Sequence, residues 1–333
     1  MKSNLKIHFL SPYKFLSDKF YSKVSLVNFP ETKIRFRNKN FEEFGQLDDT
    51  DWINLLGKFH SKYLPINSNI AMKYHGHQFR VYNPEIGDGR GFTIAQFYKN
   101  KKLYDLGTKG SGTTLYSRTG DGRLTLKGGV REVLCSSYLD AIGLNTSQTL
   151  SLIETGENLY RNDEPSPTRS SVLVRISHSH IRIGTFQYQA YHQDNESLEN
   201  LMKSVGKYYF SFNDDENIPL NFFSKVVKNC ANLAASYNIF GFVHGVLNTD
   251  NINVTGESFD YGPYRMMEKY NPEKIAAYFD HSGLYKFSKQ VDAIFWNVQQ
   301  LASIMTLFLE EKLIIEELRK YIDLYNIEVL RLF

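Results

Sequence analysis

The sequence has few cysteines, little net charge and no long apolar run. Its two cysteines, Cys135 and Cys230, lie far apart and lack the spacing of metal ligands, so we expect neither a disulfide framework nor a zinc site, as is usual in a reducing compartment. A net charge of +3, carried by scattered basic residues, is too small to indicate a nucleic-acid partner. No run of about eighteen apolar residues occurs, and residues 1–10 hold no sustained apolar stretch. We therefore expect no membrane span and no signal peptide.

What is present indicates a folded chain of mixed secondary structure. Hydrophobic residues make up 42% and charged residues 23% of the 333 residues, which are ordinary values for a globular protein. Strands are predicted at Phe92–Phe97 and Leu103–Leu106, and a helix at Val130–Ile142, ended by Gly143. A weaker helical pattern covers Asp48–Phe59.

The later part of the sequence is richer in helices. We expect Ser171–Ile176 and Ile181–Phe186 to pair as a hairpin, followed by helices at about 195–211, 221–238, 289–309 and 311–332. Strands first and helices afterwards is the order found in the two lobes of a protein kinase, although many α+β proteins share it.

The most specific motif is the octapeptide His244–Asn251, followed nine residues later by Asp260-Tyr261-Gly262. A protein-kinase catalytic loop has His-Arg-Asp, four further residues and Asn, followed by Asp-Phe-Gly. This chain keeps that spacing, but Val246 stands where a kinase has its catalytic aspartate. Because valine cannot accept a proton, the motif indicates either an inactive kinase or a different chemistry.

Three polar side chains in this region are suited to nucleotide and metal chemistry. The amide of Asn251 and the carboxylate of Asp260 offer the hard oxygen ligands that Mg²⁺ prefers. Asp250 is the only carboxylate of the octapeptide and could replace the base missing at Val246; its alternative role is that of an exposed loop or capping aspartate.

Two glycine-rich, basic segments precede the helix at Val130–Ile142. Gly87-Asp88-Gly89-Arg90-Gly91 could let backbone amides approach phosphate oxygens, or it could form a tight hairpin turn. The second segment contains Lys109–Gly112 and then Asp121-Gly122-Arg123. Either segment alone is a weak signal.

Lys109 and Glu132 could form the ion pair by which a kinase helix glutamate holds a phosphate-binding lysine. The alternative is that both charges face solvent. Arg175 and Arg182, seven residues apart on the expected hairpin, could clamp a polyphosphate, or they could be surface strand arginines. His178 and His180 lie at the expected turn and lack a third ligand for a metal.

These motifs together resemble the selenoprotein O family of protein adenylyltransferases, which have a kinase-like fold. The resemblance covers roughly residues 70–305 and rests on an ordered series of segments: Tyr74–Phe79, Gly87–Arg90, Lys109–Gly112, Tyr116–Arg118, Asp121–Arg123, Arg131–Glu132, Arg175 with Arg182, Phe242–Asn251 and Asp260–Pro263. Its motifs are highly specific as a set.

The resemblance implies that ATP binds in the reverse of the usual kinase orientation, with its γ-phosphate among Lys109, Arg175 and Arg182. A protein hydroxyl would then attack the α-phosphorus, AMP would be transferred and pyrophosphate would leave. It implies Asp250 as the base, and Asn251 and Asp260 as the metal ligands. The nucleotide contacts that it implies are Gly87, Gly89, Arg90, Lys109, Asp121, Gly122, Arg175, Arg182 and Asp260, with Glu132 orienting Lys109.

The fold implied by the resemblance is α+β, a kinase-like (pseudokinase) fold of two lobes. Residues 1–187 would form an N-terminal extension and the strand-rich nucleotide-binding lobe, and residues 188–333 the helical lobe with the catalytic loop. Family members continue well beyond the region matching Leu301–Ala302, so we expect the helical lobe to be incomplete and the family's C-terminal redox-active cysteine or selenocysteine to be absent.

The partners implied are ATP, Mg²⁺ with Mn²⁺ as the alternative ion, and proteins that offer Ser, Thr or Tyr hydroxyls; no nucleic acid or membrane is expected. The expected location is the cytoplasm in a bacterium and the mitochondrion for eukaryotic relatives. Two other functions stay open. One is a kinase-like phosphotransferase that moves the γ-phosphate, and the other is a non-catalytic nucleotide-binding scaffold.

Overall fold

The computed structural model describes residues 5, 7–66, 69–213 and 217–333; part of the N-terminal decapeptide, for which no signal peptide is expected, lies outside the described residues. The chain forms two compact units. The first contains the described residues of Met1–Lys73, Glu85–Tyr138 and Ser147–His180, and the second those of Tyr74–Pro84, Leu139–Thr146 and Ile181–Phe333. Across the described residues, no helix is both long and apolar enough to cross a membrane.

The described residues contain strands and α-helices in mixed order. The strands are β1 (Tyr21–Lys23), β2 (Lys33–Arg37), β3 (Ile70–Met72), β4 (Gly76–Gln78), β5 (Val81–Asn83), β6 (Thr93–Lys99), β7 (Lys102–Lys109), β8 (Leu124–Thr125), β9 (Gln148–Leu159), β10 (Thr168–Ser177), β11 (Phe242–Val243) and β12 (Arg265–Met266). The helices are α1 (Asp49–Leu56), α2 (Leu126–Ala141), α3 (Ile183–Tyr191), α4 (Asn195–Val205), α5 (Ile218–Ile239), α6 (Gln290–Met305) and α7 (Glu311–Leu332).

The first unit is built around a sheet. Within the described residues, its strands follow the order β1-β3-β6-β7-β10-β9-β2, and β8 pairs with β10. The pairing is antiparallel throughout. Strands β6 and β7 contain the expected strands at Phe92–Phe97 and Leu103–Leu106, which are confirmed. Trp52 of α1 is buried against this sheet and its indole donates a hydrogen bond to Ser151 Oγ at 2.9 Å.

Helix α2 begins four residues before the expected start at Val130. Thr125 Oγ1 accepts a hydrogen bond from the Gly128 amide at 3.1 Å and thereby satisfies one amide of the first turn. Gly128 and Gly129, which disfavour a helix by propensity, are needed here for packing. A Cβ on Gly129 would lie 2.5 Å from Leu152 Cδ1, so a larger residue would push the helix off the sheet.

The expected strand at Ile181–Phe186 is wrong, because Ile183–Tyr191 forms helix α3. The apolar side chains of Ile183 and Phe186 are buried on this helix instead. Its first turn is stabilised by Thr185, whose Oγ1 accepts a hydrogen bond from the Arg182 amide at 3.2 Å. Gly184 lets the start of this helix lie close to the backbone of His75, because a Cβ there would lie 2.1 Å from the His75 carbonyl oxygen. Arg182 is therefore the residue before a helix and not part of a hairpin.

The second unit contains the helices expected near 195–211, 221–238, 289–309 and 311–332, which are confirmed as α4, α5, α6 and α7. The first of them is shorter than expected, since residues 206–210 form a π-helical turn after α4. Helix α5 packs against α6 and α7. Between α5 and α6 lie the short paired strands β11 and β12, which position the loop that begins at His244.

Candidate active site

Lys109 and Glu132 form a buried ion pair in the first unit. Lys109 is the last residue of β7, and its Nζ donates a short hydrogen bond to Glu132 Oε1 on α2. The lysine side chain is 7% exposed and the glutamate side chain 5% exposed. The alternative that both charges face solvent is therefore wrong. A buried ammonium oriented by a carboxylate is the arrangement that a phosphate-binding lysine requires.

The segment Gly87–Gly91 lies against residues 108–117 and is not a simple hairpin turn. A Cβ on Gly87 would lie 2.5 Å from the Tyr116 ring, and one on Gly91 would lie 2.2 Å from the Thr108 carbonyl oxygen. The Gly110 amide donates to the Arg90 carbonyl oxygen at 2.6 Å. These glycines are thus required for close packing, while Arg90 itself is exposed. Their contact with a nucleotide stays a prediction.

The loop after Lys109 returns to pack on residues 121–122. The Gly112 amide donates to the Gly122 carbonyl oxygen at 3.2 Å, and Gly122 has a positive φ of 70°. Asp121 pairs with Arg161 at 2.8 Å and accepts from the Arg123 amide at 2.9 Å. Burial raises the pKa of Asp121, but these hydrogen bonds outweigh it, so the pKa lies below its usual value. The structure thus gives Asp121 two partners of its own, and its nucleotide contact stays a prediction.

Arg175 lies on β10 and is only 5% exposed. Its Nε donates to His180 Nε2 at 3.3 Å. Arg182, in the second unit, is 4% exposed. Neither residue is a surface strand arginine, so that alternative is excluded.

The loop that follows β11 is held by its own polar side chains. His244 Nε2 donates to the carbonyl oxygen of Phe259, the residue before Asp260, at 2.8 Å. The Asn251 side-chain amide donates to the Val246 carbonyl oxygen at 3.1 Å. Because the nitrogen of Asn251 is used in this way, its Oδ1 is the end of the amide that can act as a ligand.

Arg182 connects the two ends of the expected catalytic motif. Its Nη1 donates to the Asp250 carbonyl oxygen at 2.8 Å and to Asp260 Oδ2 at 3.3 Å. Its guanidinium lies over the rings of Tyr74, at 4.4 Å, and Phe259, at 4.8 Å. The backbone carbonyl of Asp250 and the carboxylate of Asp260 therefore contact the same nitrogen of one buried guanidinium.

The hairpin of β4 and β5 supports the same loop. The His77 amide donates to Thr249 Oγ1 at 2.7 Å, and the Phe79 amide donates to Asn248 Oδ1 at 3.0 Å. Thr249 Oγ1 in turn donates to Gln187 Oε1 at 2.7 Å. These bonds fix the backbone on the N-terminal side of Asp250, which is itself 8% exposed.

The oxygen donors of this cluster fit a hard divalent cation. Asn251 supplies an oriented amide oxygen and Asp260 a carboxylate. Asp260 has a positive φ of 59°, in the left-handed region that aspartate adopts more readily than most residues other than glycine. Among the described residues, no group of three His, Cys, Asp or Glu side chains could hold a metal by itself. The two donors therefore fit a hard divalent cation that would take its other ligands from phosphate and water.

Two groups of supporting residues were missed from the sequence. The first is the β4–β5 hairpin, whose residues belong to the resemblance but were given no role. The second is Asp105 with His180, which lies beside Arg175. The two histidines at residues 178 and 180, directly after a strand, are a sequence signal for the second group, although they lack a third metal ligand.

Comparison with known proteins agrees with this geometry. The family model described as "Protein adenylyltransferase SelO" matches residues 3–333. The chain is 45% identical over 320 residues to "Protein nucleotidyltransferase YdiU" of Synechocystis sp., which covers 93% of this chain and 66% of that protein. It is 44% identical over 336 residues to the protein of the same name from Trichodesmium erythraeum, with 96% and 70% coverage. A third YdiU protein, from Vibrio cholerae, is 33% identical over 329 residues, with 98% and 67% coverage.

The chain thus spans about two thirds of the length of these curated relatives. The family match, in contrast, runs along almost the whole chain. It includes both the Lys109–Glu132 pair and the loop with Asp250 and Asn251. The chain belongs to the SelO family, whose model is described as a protein adenylyltransferase.

Proposed function

We propose that this chain transfers AMP from ATP to hydroxyl groups of protein Ser, Thr or Tyr side chains and releases pyrophosphate. The observation that carries the proposal is the loop at His244–Asn251. It is held by the side chains of His244 and Asn251, it has an apolar Val246 at the position of the kinase base, and the backbone carbonyl of Asp250 shares Arg182 Nη1 with the carboxylate of Asp260. Such a loop still offers Asp250 as a base and Asn251 and Asp260 as ligands, but Val246 cannot accept a proton.

In the proposed reaction Asp250 accepts the proton of the acceptor hydroxyl. The hydroxyl oxygen forms a bond to the α-phosphorus, the bond from that phosphorus to the bridging oxygen breaks, and pyrophosphate leaves. The location of Asp250 supports this role, because the Asp250 backbone is fixed by Arg182 at 2.8 Å and the loop before it by the β4–β5 hairpin. A fixed base within reach of the attacking group is the requirement for proton transfer.

The cationic residues are proposed to bind the phosphates. Lys109, oriented by Glu132, and Arg175, in contact with His180, each offer a buried positive charge from the first unit. Arg182 is proposed as a further nucleotide contact of the second unit, with a part of its guanidinium engaged by Asp260. Preorganised cations stabilise the charge that develops on a pyrophosphate leaving group. Gly87, Gly89, Arg90, Asp121 and Gly122 stay proposals as nucleotide contacts.

Asn251 and Asp260 are the residues proposed to hold the metal ion. When bound, Mg²⁺ or Mn²⁺ would neutralise phosphate charge. The chain's own part is to present two hard oxygen ligands in a fixed orientation, with Asn251 held by the Val246 carbonyl oxygen at 3.1 Å. Arg182 Nη1 lies 3.3 Å from Asp260 Oδ2 and restricts the orientation of this carboxylate.

The two units are proposed to correspond to the lobes of a kinase-like fold. The sheet and α2 of the first unit, with the Lys109–Glu132 pair, support an N-lobe. The helices and the His244–Asn251 loop of the second unit support a C-lobe. The lobe boundary between residues 187 and 188 stays a prediction.

The proposal is tested by the intact mass of a protein acceptor after incubation with the chain, ATP and Mg²⁺. The expected result is an increase by one AMP group, which disappears when Asp250→Ala replaces the parent chain. An increase by one phosphate group would indicate the phosphotransferase. No change in mass, together with measurable ATP binding, would indicate the non-catalytic scaffold.

A further inference from the structure

A buried polar cluster in the first unit leads from the N-terminal segment to Arg175. Its members are Tyr13, Gln96, Asp105, His180 and Arg175, each 5% exposed or less. Buried polar groups of this kind are costly unless they are satisfied. The proposed reaction gives a direct role only to Arg175, so the purpose of the other four needs a separate explanation.

Asp105 is the centre of the cluster. Its Oδ1 accepts from Gln96 Nε2 at 2.7 Å. Its Oδ2 accepts a short hydrogen bond from Tyr13 Oη, a second from the His180 amide at 2.8 Å, and lies 3.2 Å from His180 Nδ1. Gln96 Oε1 also accepts from the Tyr13 amide at 2.8 Å. Both carboxylate oxygens are thus in use, and the carboxylate has one fixed orientation.

This orientation favours one tautomer of the His180 ring. Since Asp105 is an acceptor, the ring nitrogen facing it, Nδ1, carries the proton. The other nitrogen, Nε2, is then an acceptor, and it faces the donor Nε–H of Arg175 at 3.3 Å. A carboxylate that sets the tautomer of a histidine for a third group is a known arrangement in active sites.

Gly107 provides the space for this ring. It lies directly opposite Arg175 in the pairing of β7 with β10, and Asp105 lies opposite Ser177. Side chains two residues apart on a strand share a face, so Asp105, Gly107 and Lys109 lie on one face of β7. A Cβ on Gly107 would lie 2.5 Å from His180 Nε2. The His180 ring therefore occupies the position above Gly107, between Asp105 and Arg175.

We propose that Asp105 and His180 are positioning residues that orient the guanidinium of Arg175 toward the phosphates of ATP. This inference rests on the proposed function of Arg175 as a phosphate-binding residue. The contact with His180 uses Nε and not the Nη groups, which form the fork that binds phosphate oxygens in a bidentate manner. Holding a long side chain in one conformation before binding removes an entropic penalty from the binding step.

The test is the affinity for Mg²⁺-ATP and for AMP, measured by isothermal titration calorimetry on the full chain. His180→Phe keeps a ring but removes the acceptor, and it is expected to weaken ATP binding about tenfold, the effect of losing one hydrogen bond to a charged group. AMP binding should be unchanged, because AMP lacks the β- and γ-phosphates. His180→Gln, which can place an amide oxygen near Arg175, should restore most of the ATP affinity.

The double variant Arg175→Ala with His180→Phe shows whether His180 affects ATP affinity through Arg175, by its own contact with ATP, or by a general loss of structure. If His180 acts through Arg175, the double variant binds ATP as weakly as Arg175→Ala alone. Additive losses, equal losses for ATP and AMP, or no loss in His180→Phe would each overturn the inference. If His180→Phe does not fold, Asp105→Asn takes its place, since it keeps an oxygen for the His180 amide but removes the negative charge that faces Nδ1; it should weaken ATP binding but not AMP binding.

Arg175→Ala alone shows which claim has failed. Unchanged ATP affinity in Arg175→Ala would refute its role in the proposed function, and the positioning inference with it. A large loss in Arg175→Ala without a loss in His180→Phe or Asp105→Asn would refute the positioning inference only.

Discussion

Replacing Glu132 with alanine should lower the stability of the first unit, because it would leave the ammonium of Lys109 buried without its carboxylate. The side chain of Lys109 is 7% exposed, and that of Glu132 is 5% exposed. Removing one partner of a buried pair costs about 3–5 kcal/mol, since the remaining charge is uncompensated. At about 2–4 °C per kcal/mol for a unit of this size, the melting temperature should fall by about 6–20 °C.

Thermal unfolding followed by circular dichroism, without nucleotide, measures this effect. A matched control is Glu199→Ala, which removes an exposed ion pair with Lys203. The lysine side chain of that pair is 55% exposed and the glutamate side chain 48% exposed. That change should cost at most about 0.5 kcal/mol. Glu132→Gln keeps the acceptor oxygen and loses the charge, so its melting temperature should lie between those of Glu132→Ala and Glu199→Ala. If Glu132→Ala and Glu199→Ala melt at the same temperature, Lys109 is not held by a buried pair and its proposed role loses its structural basis.

Further predictions concern the phosphates, the metal and pH. Lys109→Ala should remove about 2–4 kcal/mol of transition-state stabilisation, measured as a lower kcat/KM for AMP transfer. An unchanged kcat/KM would contradict the phosphate-binding role. Asp260→Ala should abolish transfer and weaken Mn²⁺ binding in a paramagnetic titration, whereas Asn251→Ala should have the milder effect, since water can replace a neutral ligand; equal losses would contradict this order. Burial and the neighbouring His192 lower the pKa of His75 to about 4. The unfolded chain therefore takes up a proton at higher pH than the folded chain, and stability should be lost as pH falls from about 6.5 to 4. His75→Phe should remove about 1–3 kcal/mol of that dependence in urea titrations at the two pH values; an unchanged pH dependence would show that another group is responsible.

The sequence predicted the elements whose pattern is local. Helices α5, α6 and α7 have long apolar periodicity, and each was placed within a few residues of its ends. The π-helical turn at residues 206–210 was not anticipated, because nothing in the sequence pattern separates it from the α-helix before it.

Elements that depend on contacts distant in sequence were harder to predict. Gly128 and Gly129 disfavour a helix by propensity, and only the closeness of α2 to Leu152 explains them. Alternation of Ile181 and Ile183 was typical of a strand, but Thr185 and Gly184 stabilise a helix start at this place.

The candidate site likewise combines residues that a local motif identifies with residues that are distant in the sequence. The spacing of His244, Asn251 and Asp260 predicts that they act together, and this joint role stays a prediction. The structure shows that His244 binds the carbonyl oxygen of Phe259 and that Asn251 binds that of Val246. The contacts of His180 with Asp105 and Arg175 could not be predicted, because 75 residues separate Asp105 from His180 in the sequence. The spacing of a motif identifies residues within one segment, whereas the residues that support a site come from several segments.

The central claim is that the α-phosphorus of ATP, and not the γ-phosphorus, becomes bonded to the protein acceptor. Parallel reactions with ATP labelled at either phosphorus test it most directly, with the parent chain, Asp250→Ala and Val246→Asp. We expect protein labelling only from the α-label, a decrease of about 10²–10⁴-fold in Asp250→Ala, and no γ-label transfer in Val246→Asp, because the cationic residues and not this side chain determine the orientation of ATP. Labelling of the acceptor from γ-labelled ATP, by the parent or by Val246→Asp, would contradict the account.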